Sequence, residues 1–273
     1  MSWGAPLVRM TEADPLAISF WRLAFAVVMI AFILGVSGER EGIRSLGRSD
    51  WIAAAWAGAF LAGHFAAWIA SVQLTTVAAS VALVSTAPVW VALLAIVMLG
   101  ESLERRQWVG IGTAILGAIV IGWGDLGGGP DPLRGDFLAV VGAVFVAGYY
   151  VIGRKLRSRI GLWPYVAVVY GIAALVLFAG LLATGVPIIA GYGRTDWLVF
   201  FGLALGPMLI GHTGQNWALR YLPAVAVNLT VLGEPVGATL IAWGVPFIAE
   251  PPPIEAVLGG ALILGGILLG MWR

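Results

Sequence analysis

The chain contains no cysteine and few charged residues. Without cysteine no disulfide framework can form, so the sequence does not reveal the redox character of its compartment. Charged residues make up only 11% of the chain, whereas soluble proteins contain about 25%. The formal net charge of +1 predicts no nucleic-acid partner. Hydrophobic residues make up 60% of the chain and the mean hydropathy is +0.97, which predicts an all-α integral protein of the lipid bilayer.

The sequence also lacks the short motifs of common hydrolases and metalloenzymes. It has no His-Glu-x-x-His, no Gly-x-Ser-x-Gly and no cysteine pair. No catalytic residue, metal site or cofactor is therefore predicted, and the chain is not expected to be an enzyme. Arg9, Glu12 and Asp14 interrupt the first fifteen residues, which argues against a cleavable signal peptide.

What the chain does contain is a series of long apolar runs. Nine runs approach or exceed the length needed to cross about 30 Å of hydrocarbon at about 1.5 Å per residue, the three shortest only marginally. A tenth span, Ser2–Met10, is incomplete, which leaves open whether the native start lies upstream of Met1. The nine runs are Leu16–Val36, Ile52–Val72, Val77–Leu99, Trp108–Trp123, Phe137–Gly153, Trp163–Ala183, Leu198–Leu219, Ala224–Ala249 and Ala256–Trp272.

The second half of the chain repeats the first. We expect one repeat over residues 1–124, with helices 1 to 5, and another over 135–273, with helices 6 to 10. A duplicated apolar module is typical of secondary transporters, whose substrate site lies between the halves. The corresponding stretches are Asp50-Trp51 and Asp196-Trp197, Ala87-Pro88-Val89 and Glu234-Pro235-Val236, Gly100-Glu101 and Ala249-Glu250, and finally Gly110 and Gly117 with Gly259 and Gly266.

The distribution of arginine and lysine predicts the orientation. If the loop between the second and third spans is cytoplasmic, eleven basic residues lie in inside segments and three in outside segments. Lysine and arginine concentrate on the cytoplasmic side, so the C-terminus is predicted to be cytoplasmic. Each half then has five spans, and an odd number turns the second repeat upside down relative to the first. Such an inverted repeat supports alternating access.

Short motifs of both copies carry a family resemblance. They include Trp3-Gly4, Asp14-Pro15 followed by Arg22, Pro88-Val89, and Gly100-Glu101 before the helix with Gly110 and Gly117; the second copy has Glu234-Pro235-Val236, and Glu250 before the helix with Gly259 and Gly266. The chain thus resembles the EamA domain family of the drug/metabolite transporter superfamily. The resemblance implies a ten-helix permease of the bacterial inner membrane, often an exporter of amino acids or other small metabolites. The chain departs from the family in its first helix, where only Met1 and Ser2 precede the Trp-Gly pair.

Glu234 is the acidic residue placed well inside a predicted span. An ionisable group in hydrocarbon needs a partner or a cavity. Glu234 directly precedes Pro235, which removes a backbone donor and loosens the helix. The carboxylate could take up a proton, hold a substrate ammonium group, or only satisfy backbone freed by the proline. The first copy has Ala87 at the equivalent position.

Two histidines occupy nearly equivalent positions in the two repeats. His64 lies one helical turn from Trp68 on the third span, and His212 shares a face of the eighth span with Gln215 and Asn216. Histidine changes charge near neutral pH, so both are candidates for a proton relay. The alternative is interhelical hydrogen bonding. Their equivalence predicts that both line one cavity near the midplane.

Further candidates are an arginine, two residues beside the helix-breaking prolines, and an aromatic residue. Arg22 could extend to the headgroups or bind a substrate carboxylate. Thr86 and Asn228 flank Pro88 and Pro235 respectively and could hydrogen-bond a polar solute or the backbone. Tyr149 lies deep in a span, as do Trp68 and Trp217, and each could line a cavity or pack against lipid.

These features together predict a permease that exports a small, uncharged or zwitterionic metabolite, with an amino acid as the expected class. The predicted partners are this solute and the bilayer. The spans contain too few cationic residues for phosphorylated substrates. The alternatives are a transporter of another small organic solute or drug, and a non-transporting scaffold or assembly protein. The glycines of helices 5 and 10 have small-xxx-small spacing, which predicts close helix packing or a homodimer face.

Overall fold

The structure is a computed structural model that describes residues 1–99, 104–124, 129–222, 227 and 233–271. All regular secondary structure in these ranges is helical. The helices are α1 (Gly4–Val8), α2 (Pro15–Ser37), α3 (Glu41–Arg44), α4 (Arg48–Leu74), α5 (Val77–Val84), α6 (Ala87–Leu99), α7 (Arg105–Gly124), α8 (Pro132–Arg157), α9 (Leu162–Thr184), α10 (Arg194–Leu203), a π-helix (Ala204–His212), α11 (Thr213–Ala218), α12 (Gly233–Gly244) and α13 (Ile254–Met271).

The chain is a multi-pass membrane protein. Six helical segments are long and apolar enough to cross a bilayer, and two shorter apolar helices cover Trp108–Ile121 and Ile254–Gly270. Two predicted spans are not continuous α-helices. The fourth is divided into α5 and α6, and the eighth passes from α10 through the π-helix into α11. The Gly100-Glu101 motif and Trp272 lie outside the described residues.

The repeated Asp-Trp motif begins the third span and the eighth. Asp50 Oδ2 accepts a hydrogen bond from Gly47 N at 3.1 Å, and Asp196 Oδ2 accepts one from Gly193 N at 2.7 Å. Each aspartate thereby satisfies a backbone donor just before its helix and places negative charge near the positive end of the helix dipole. The motif therefore serves to start a helix in both repeats.

Helices at equivalent positions of the two repeats pack against each other. α2 packs on α9, and α7 packs on α13. In the second pair the backbones approach closely: a Cβ added to Gly117 would lie 2.5 Å from the carbonyl oxygen of Gly259, and Gly110 meets Gly266 in the same way. The absence of side chains at these positions permits this contact. The predicted glycine packing thus occurs within the chain.

The ends of α4 define two faces of the molecule. Its 27 residues extend about 40 Å. Near its start Asp50 Oδ1 forms an ion pair with Arg159 Nη2 at 2.6 Å, and we call this end the Asp50 face. Past its end, Arg9 Nη2 donates to the carbonyl oxygen of Thr75 at 2.6 Å, while Arg9 Nε pairs with Glu250 Oε2 at 3.0 Å. We call this the Glu250 face. Each ion pair joins the two halves of the chain.

Candidate functional site

A small cavity lies between the two repeats, near the middle of the long helices. Its volume is about 50 Å³. A water molecule occupies about 30 Å³ of liquid, so the cavity has room for water but not for a metabolite. α4, α5 and α6 contribute from the first half of the chain, and α8, the π-helix and α12 from the second. The lining residues are Met1, His64, Trp68, Val84, Ser85, Ala87, Pro88, Val146, Tyr150, His212 and Glu234.

The two histidines meet at this cavity. Their ring centroids are 6.2 Å apart, and the His64 ring lies parallel to Trp68 at 6.1 Å. His64 Nδ1 donates to the carbonyl oxygen of Gly142 on α8 at 2.9 Å, which joins the first half of the chain to the second. His212 Nδ1 is buried without a hydrogen-bond partner among the described residues. The two side chains therefore provide polar nitrogen atoms in a wall that is mainly aliphatic and aromatic.

A π-helix places His212. It runs from Ala204 to His212 and contains Pro207, which has no backbone N–H to donate. Inserted π turns are rare and rotate the following residues relative to a regular α-helix. His212 ends the π-helix, and its ring packs edge-on against Phe65 at 5.2 Å. Sequence reasoning placed His212 at the cavity without identifying the helix type.

Glu234 lines the cavity opposite the broken fourth span. It lies in the first turn of α12, just before the buried Pro235. In the described part of the chain no hydrogen bond or ion pair reaches its carboxylate, and its side chain is half-buried. A Cβ added to Gly4 would lie 3.9 Å from Glu234 Oε1, so α1 packs beside it. Ala87, the equivalent residue of the first repeat, lines the same cavity.

The break between α5 and α6 separates residues that the sequence places side by side. Ser85, Ala87 and Pro88 line the cavity. Thr86, predicted as a site residue, instead lines a separate apolar groove of about 400 Å³ between α6, α7 and α8. Its hydroxyl donates to the carbonyl oxygen of Leu83 at 2.7 Å and accepts from Trp90 Nε1 at 3.2 Å. Thr86 therefore hydrogen-bonds with groups of the interrupted span and does not face the cavity.

A buried polar network supports the cavity wall from behind. Asn216 Nδ2 donates to the hydroxyls of Tyr149 at 2.5 Å and Tyr170 at 3.0 Å, and to the carbonyl oxygen of His212 at 2.9 Å. Tyr150, which lines the cavity, donates to Gln215 Oε1. Tyr149, Gln215 and Asn216 are thus one layer removed from the cavity.

Sequence reasoning favoured Tyr149 over its neighbour Tyr150 and did not name Val146. The structure shows that the cavity face of α8 includes Val146 and Tyr150, four residues apart, with Gly142 one turn earlier. This spacing is the signal of one helix face. It was present in the sequence, but only the packing of α8 against α4 shows which face is internal.

Arg22 does not extend to the headgroups. Its side chain is 1% exposed, and its Cζ lies 3.9 Å from the centroid of the Phe65 ring. Arg22 Nη2 approaches Met208 Sδ at 3.9 Å. Of the two interpretations of Arg22, the interfacial one does not fit, because the packing of α2 directs this side chain into the protein.

Trp217, another predicted candidate, is not brought to the cavity. Trp217 is 55% exposed and packs against Tyr221, with ring centroids 5.1 Å apart. Asn228 lies outside the described residues. Pro88 lies in the first turn of α6, where its missing N–H is tolerated. Pro235 is the third residue of α12, and the five residues before α12 lie outside the described part of the chain.

Comparison with known proteins supports one interpretation of this architecture. The profile of the EamA-like transporter family matches the chain twice, over residues 2–123 and 133–272. An uncharacterized transporter of Archaeoglobus fulgidus is 25% identical over 97% of this chain and 90% of its own length. A probable terminal-alkyne amino-acid exporter of Streptantibioticus cattleyicolor is 29% identical over 68% of this chain and 61% of its own length. A solved crystal structure has a TM-score of 0.72, covering 99% of this chain and 92% of its own, at 19% identity, which shows the fold alone.

Proposed function

The chain belongs to the EamA-like transporter family, and from this we propose that it exports small metabolites, amino acids in particular, across the bacterial inner membrane. The relative from Streptantibioticus cattleyicolor, named as a probable exporter of a terminal-alkyne amino acid, supports this substrate class. The observation that carries the proposal is the cavity between the repeats, where an acidic side chain, two imidazoles and aromatic rings converge. Such a wall suits a solute with an ammonium group and an apolar side chain.

Alternating access is the mechanism we propose. A cavity of about 50 Å³ is too small for an amino acid, so binding requires the repeats to move apart. The cavity is bordered by the break between α5 and α6 and by the π-helix. Both interrupt regular hydrogen bonding and are places where a helix can bend at low cost. The packing of α2 on α9 and of α7 on α13 is the contact pattern expected of ten helices in two inverted repeats.

We propose that the Asp50 face is cytoplasmic. The residues beside it include Arg40, Arg44, Arg48, Arg154 and Lys155, and here α3 meets the start of α9, where Gly42 approaches Pro164. The positive-inside rule then places this face in the cytoplasm, together with the C-terminus. A homodimer through helices 5 and 10 would use the exposed Ala261 and Gly265, because the neighbouring glycines are already packed within the chain.

The role we propose for Glu234 is to bind the ammonium group of the solute. Among the described residues that line the cavity it is the acidic one, and its carboxylate has no competing hydrogen bond. An ammonium entering the cavity would provide the partner that a carboxylate inside a membrane requires.

Counterflow of labelled amino acids in proteoliposomes tests this function. We expect the wild type to exchange at least one apolar amino acid, and Glu234→Gln to reduce that exchange at least about tenfold, because a charge-assisted hydrogen bond is lost. The matched control is Glu41→Gln, which changes an exposed carboxylate on α3 and should leave the exchange unchanged.

Other outcomes separate the competing roles. If Glu234→Gln removes the pH dependence of flux while amino-acid binding persists, the carboxylate carries a proton rather than the ammonium. Exchange of other organic solutes but of no amino acid would overturn the substrate class and leave a transporter. No exchange of any solute by folded protein would favour the scaffold alternative.

A further inference from the structure

Arg22 is a buried cation with no directly bonded anion among the described residues, although the negative charge of Glu234 is near enough to act on it. Its side chain is 1% exposed, and Arg22 Nε and Nη1 have no hydrogen-bond partner among the described residues. Its neighbours are the face of Phe65 at 3.9 Å and the sulfur of Met208 at 3.9 Å. None of the ion pairs among those residues includes Arg22. An isolated charge removed from water is costly, so a guanidinium retained here needs a partner at some stage.

A second buried arginine, Arg157, has hydrogen-bond acceptors for its guanidinium. Arg157 is also 1% exposed. Its Nε donates to the carbonyl oxygen of Asn216 at 2.9 Å, and its Nη1 donates to that of Ile160. Arg157 thus holds the end of α8 in place through backbone acceptors. Arg22 has no such acceptors, so a purely structural role does not account for it.

Arg22 lies one aromatic ring away from the cavity. It is four residues from the midpoint of α2, about 6 Å along the helix axis. Its guanidinium stacks on Phe65, and the Phe65 ring packs against His212, which lines the cavity. A solute in an enlarged cavity would therefore reach the guanidinium by displacing the Phe65 ring. In the compact state, by which we mean the structure with the small cavity, the Phe65 ring is a weak cation–π partner for the guanidinium.

We propose that Arg22 binds the carboxylate of the transported solute, with Phe65 as the side chain that covers it in the compact state. This inference rests on the proposed transport function and narrows it to solutes that carry a carboxylate. Arginine suits this task because its planar group forms two parallel hydrogen bonds with a carboxylate. With Glu234 holding the ammonium group, the site would recognise both ends of an amino acid.

The test compares acids with their amides in the same proteoliposomes. L-leucine and L-phenylalanine compete for counterflow with leucinamide and phenylalaninamide, which keep the ammonium and the side chain but lose the negative charge. We expect the wild-type protein to prefer each acid at least about tenfold, since a charged hydrogen bond distinguishes the two. Arg22→Gln should reduce this preference below about twofold, because it should weaken competition by the acids and not by the amides. Arg22→Lys should retain part of it.

The control variant is Arg157→Lys, which alters the other buried arginine. It should lower the thermal stability in detergent while the preference for acids is unchanged. Equal transport of acids and amides by the wild type, or an unchanged preference in Arg22→Gln, would overturn the role of Arg22 and leave the transport function intact. No counterflow of any of these compounds by the wild type would overturn this inference together with amino-acid export. If Arg22→Gln fails to fold, Arg22→Lys decides, since a preference for acids as large as that of the wild type would overturn the role of Arg22.

Discussion

At the scale of single residues, the two repeats differ where they face each other. Glu234 and Ala87 are equivalent in the duplication and line one cavity, as do His64 and His212. The duplicated positions that start helices keep their aspartates, Asp50 and Asp196. Residues that build the scaffold are thus retained in both copies, whereas the acidic residue at the cavity occurs in one. This asymmetry gives the cavity a direction in which a zwitterion can align.

Two tryptophans that the sequence places deep in their spans lead to a prediction at this scale. Trp68 is buried beside His64 and lines the cavity, whereas Trp217 is 55% exposed. Trp68→Ala should enlarge the cavity, so that bulky amino acids compete for counterflow about tenfold better relative to small ones. This is the size of effect expected when a binding pocket changes by a few carbon atoms. Trp217→Ala should leave the order of competition unchanged. Counterflow with a series of amino acids of increasing size measures both.

The prediction fails if both substitutions change the order equally. It also fails if Trp68→Ala lowers only the thermal stability of the protein and keeps the order of competition, because Trp68 would then contribute to packing alone.

At the scale of elements, two interrupted spans border the cavity together with the long regular helices α4 and α8. The fourth span breaks at Ser85 and Thr86, whose hydroxyls donate to the carbonyl oxygens of Val81 and Leu83 at 2.7 Å each. The eighth span contains the π-helix that ends at His212. Both interruptions have a proline nearby, because Pro88 follows the first by two residues and Pro207 lies within the π-helix. Proline therefore indicates that each helix is disturbed, but not that the second disturbance is a π-helix.

The pair formed by α7 and α13 provides a prediction at this scale. Gly117→Ala should destabilise the protein by about 1–3 kcal/mol, because the added methyl group would overpack the contact with the carbonyl oxygen of Gly259. Gly112→Ala on the same helix is the matched control, since a Cβ there meets no atom within 4 Å. Thermal unfolding in detergent compares the two. Equal stability of both variants would show that α7 and α13 do not pack as described.

At the scale of the whole molecule, the two halves are joined at both faces by ion pairs. Arg9 and Glu250 pair at one face, and Asp50 and Arg159 at the other. Glu250 Oε1 also accepts from the backbone nitrogen of Val77 at 2.5 Å, so this face is held by more than one bond. The Arg159 side chain is 53% exposed, and water weakens that pair. Alternating access requires each set of bonds to open in turn.

Breaking these pairs should shift access in opposite directions. Glu250→Gln should expose the cavity more from the Glu250 face, and Asp50→Asn more from the Asp50 face, with the second effect smaller because its pair is more exposed. Since the chain has no cysteine, a single cysteine introduced by Ser85→Cys reports access through labelling with an impermeant maleimide added from one side.

Glu41→Gln is the control, because the Glu41 carboxylate is exposed on α3 and takes part in none of the ion pairs found among the described residues. Shifts in the same direction for Glu250→Gln and Asp50→Asn, or a shift in the control alone, would contradict the assignment of the two ion pairs as opposing closures.

The sequence alone predicts that this is a membrane protein, that it contains a duplication and where most helices end, because these features have local causes. A long apolar run can satisfy its backbone in lipid only as a helix. Asp14 accepts from the backbone nitrogen of Leu16 at 2.8 Å and Pro15 follows it, so α2 begins where the sequence predicts. Gly38 ends α2 with a φ of 74°, a left-handed conformation that glycine adopts easily. Such signals act over a few residues and need no partner from elsewhere.

The composition of the site was decided by packing between distant helices. Successive residues of a helix point about 100° apart, so whether Tyr149 or Tyr150, and Thr86 or Ser85, faces the cavity depends on how each helix is rotated against its neighbours. The same rotation directs Arg22 inward to Phe65 and turns Trp217 outward. A long transmembrane span has apolar residues on all of its faces, so its sequence does not show which face is buried in the protein. That face is set by the shapes of the helices it meets.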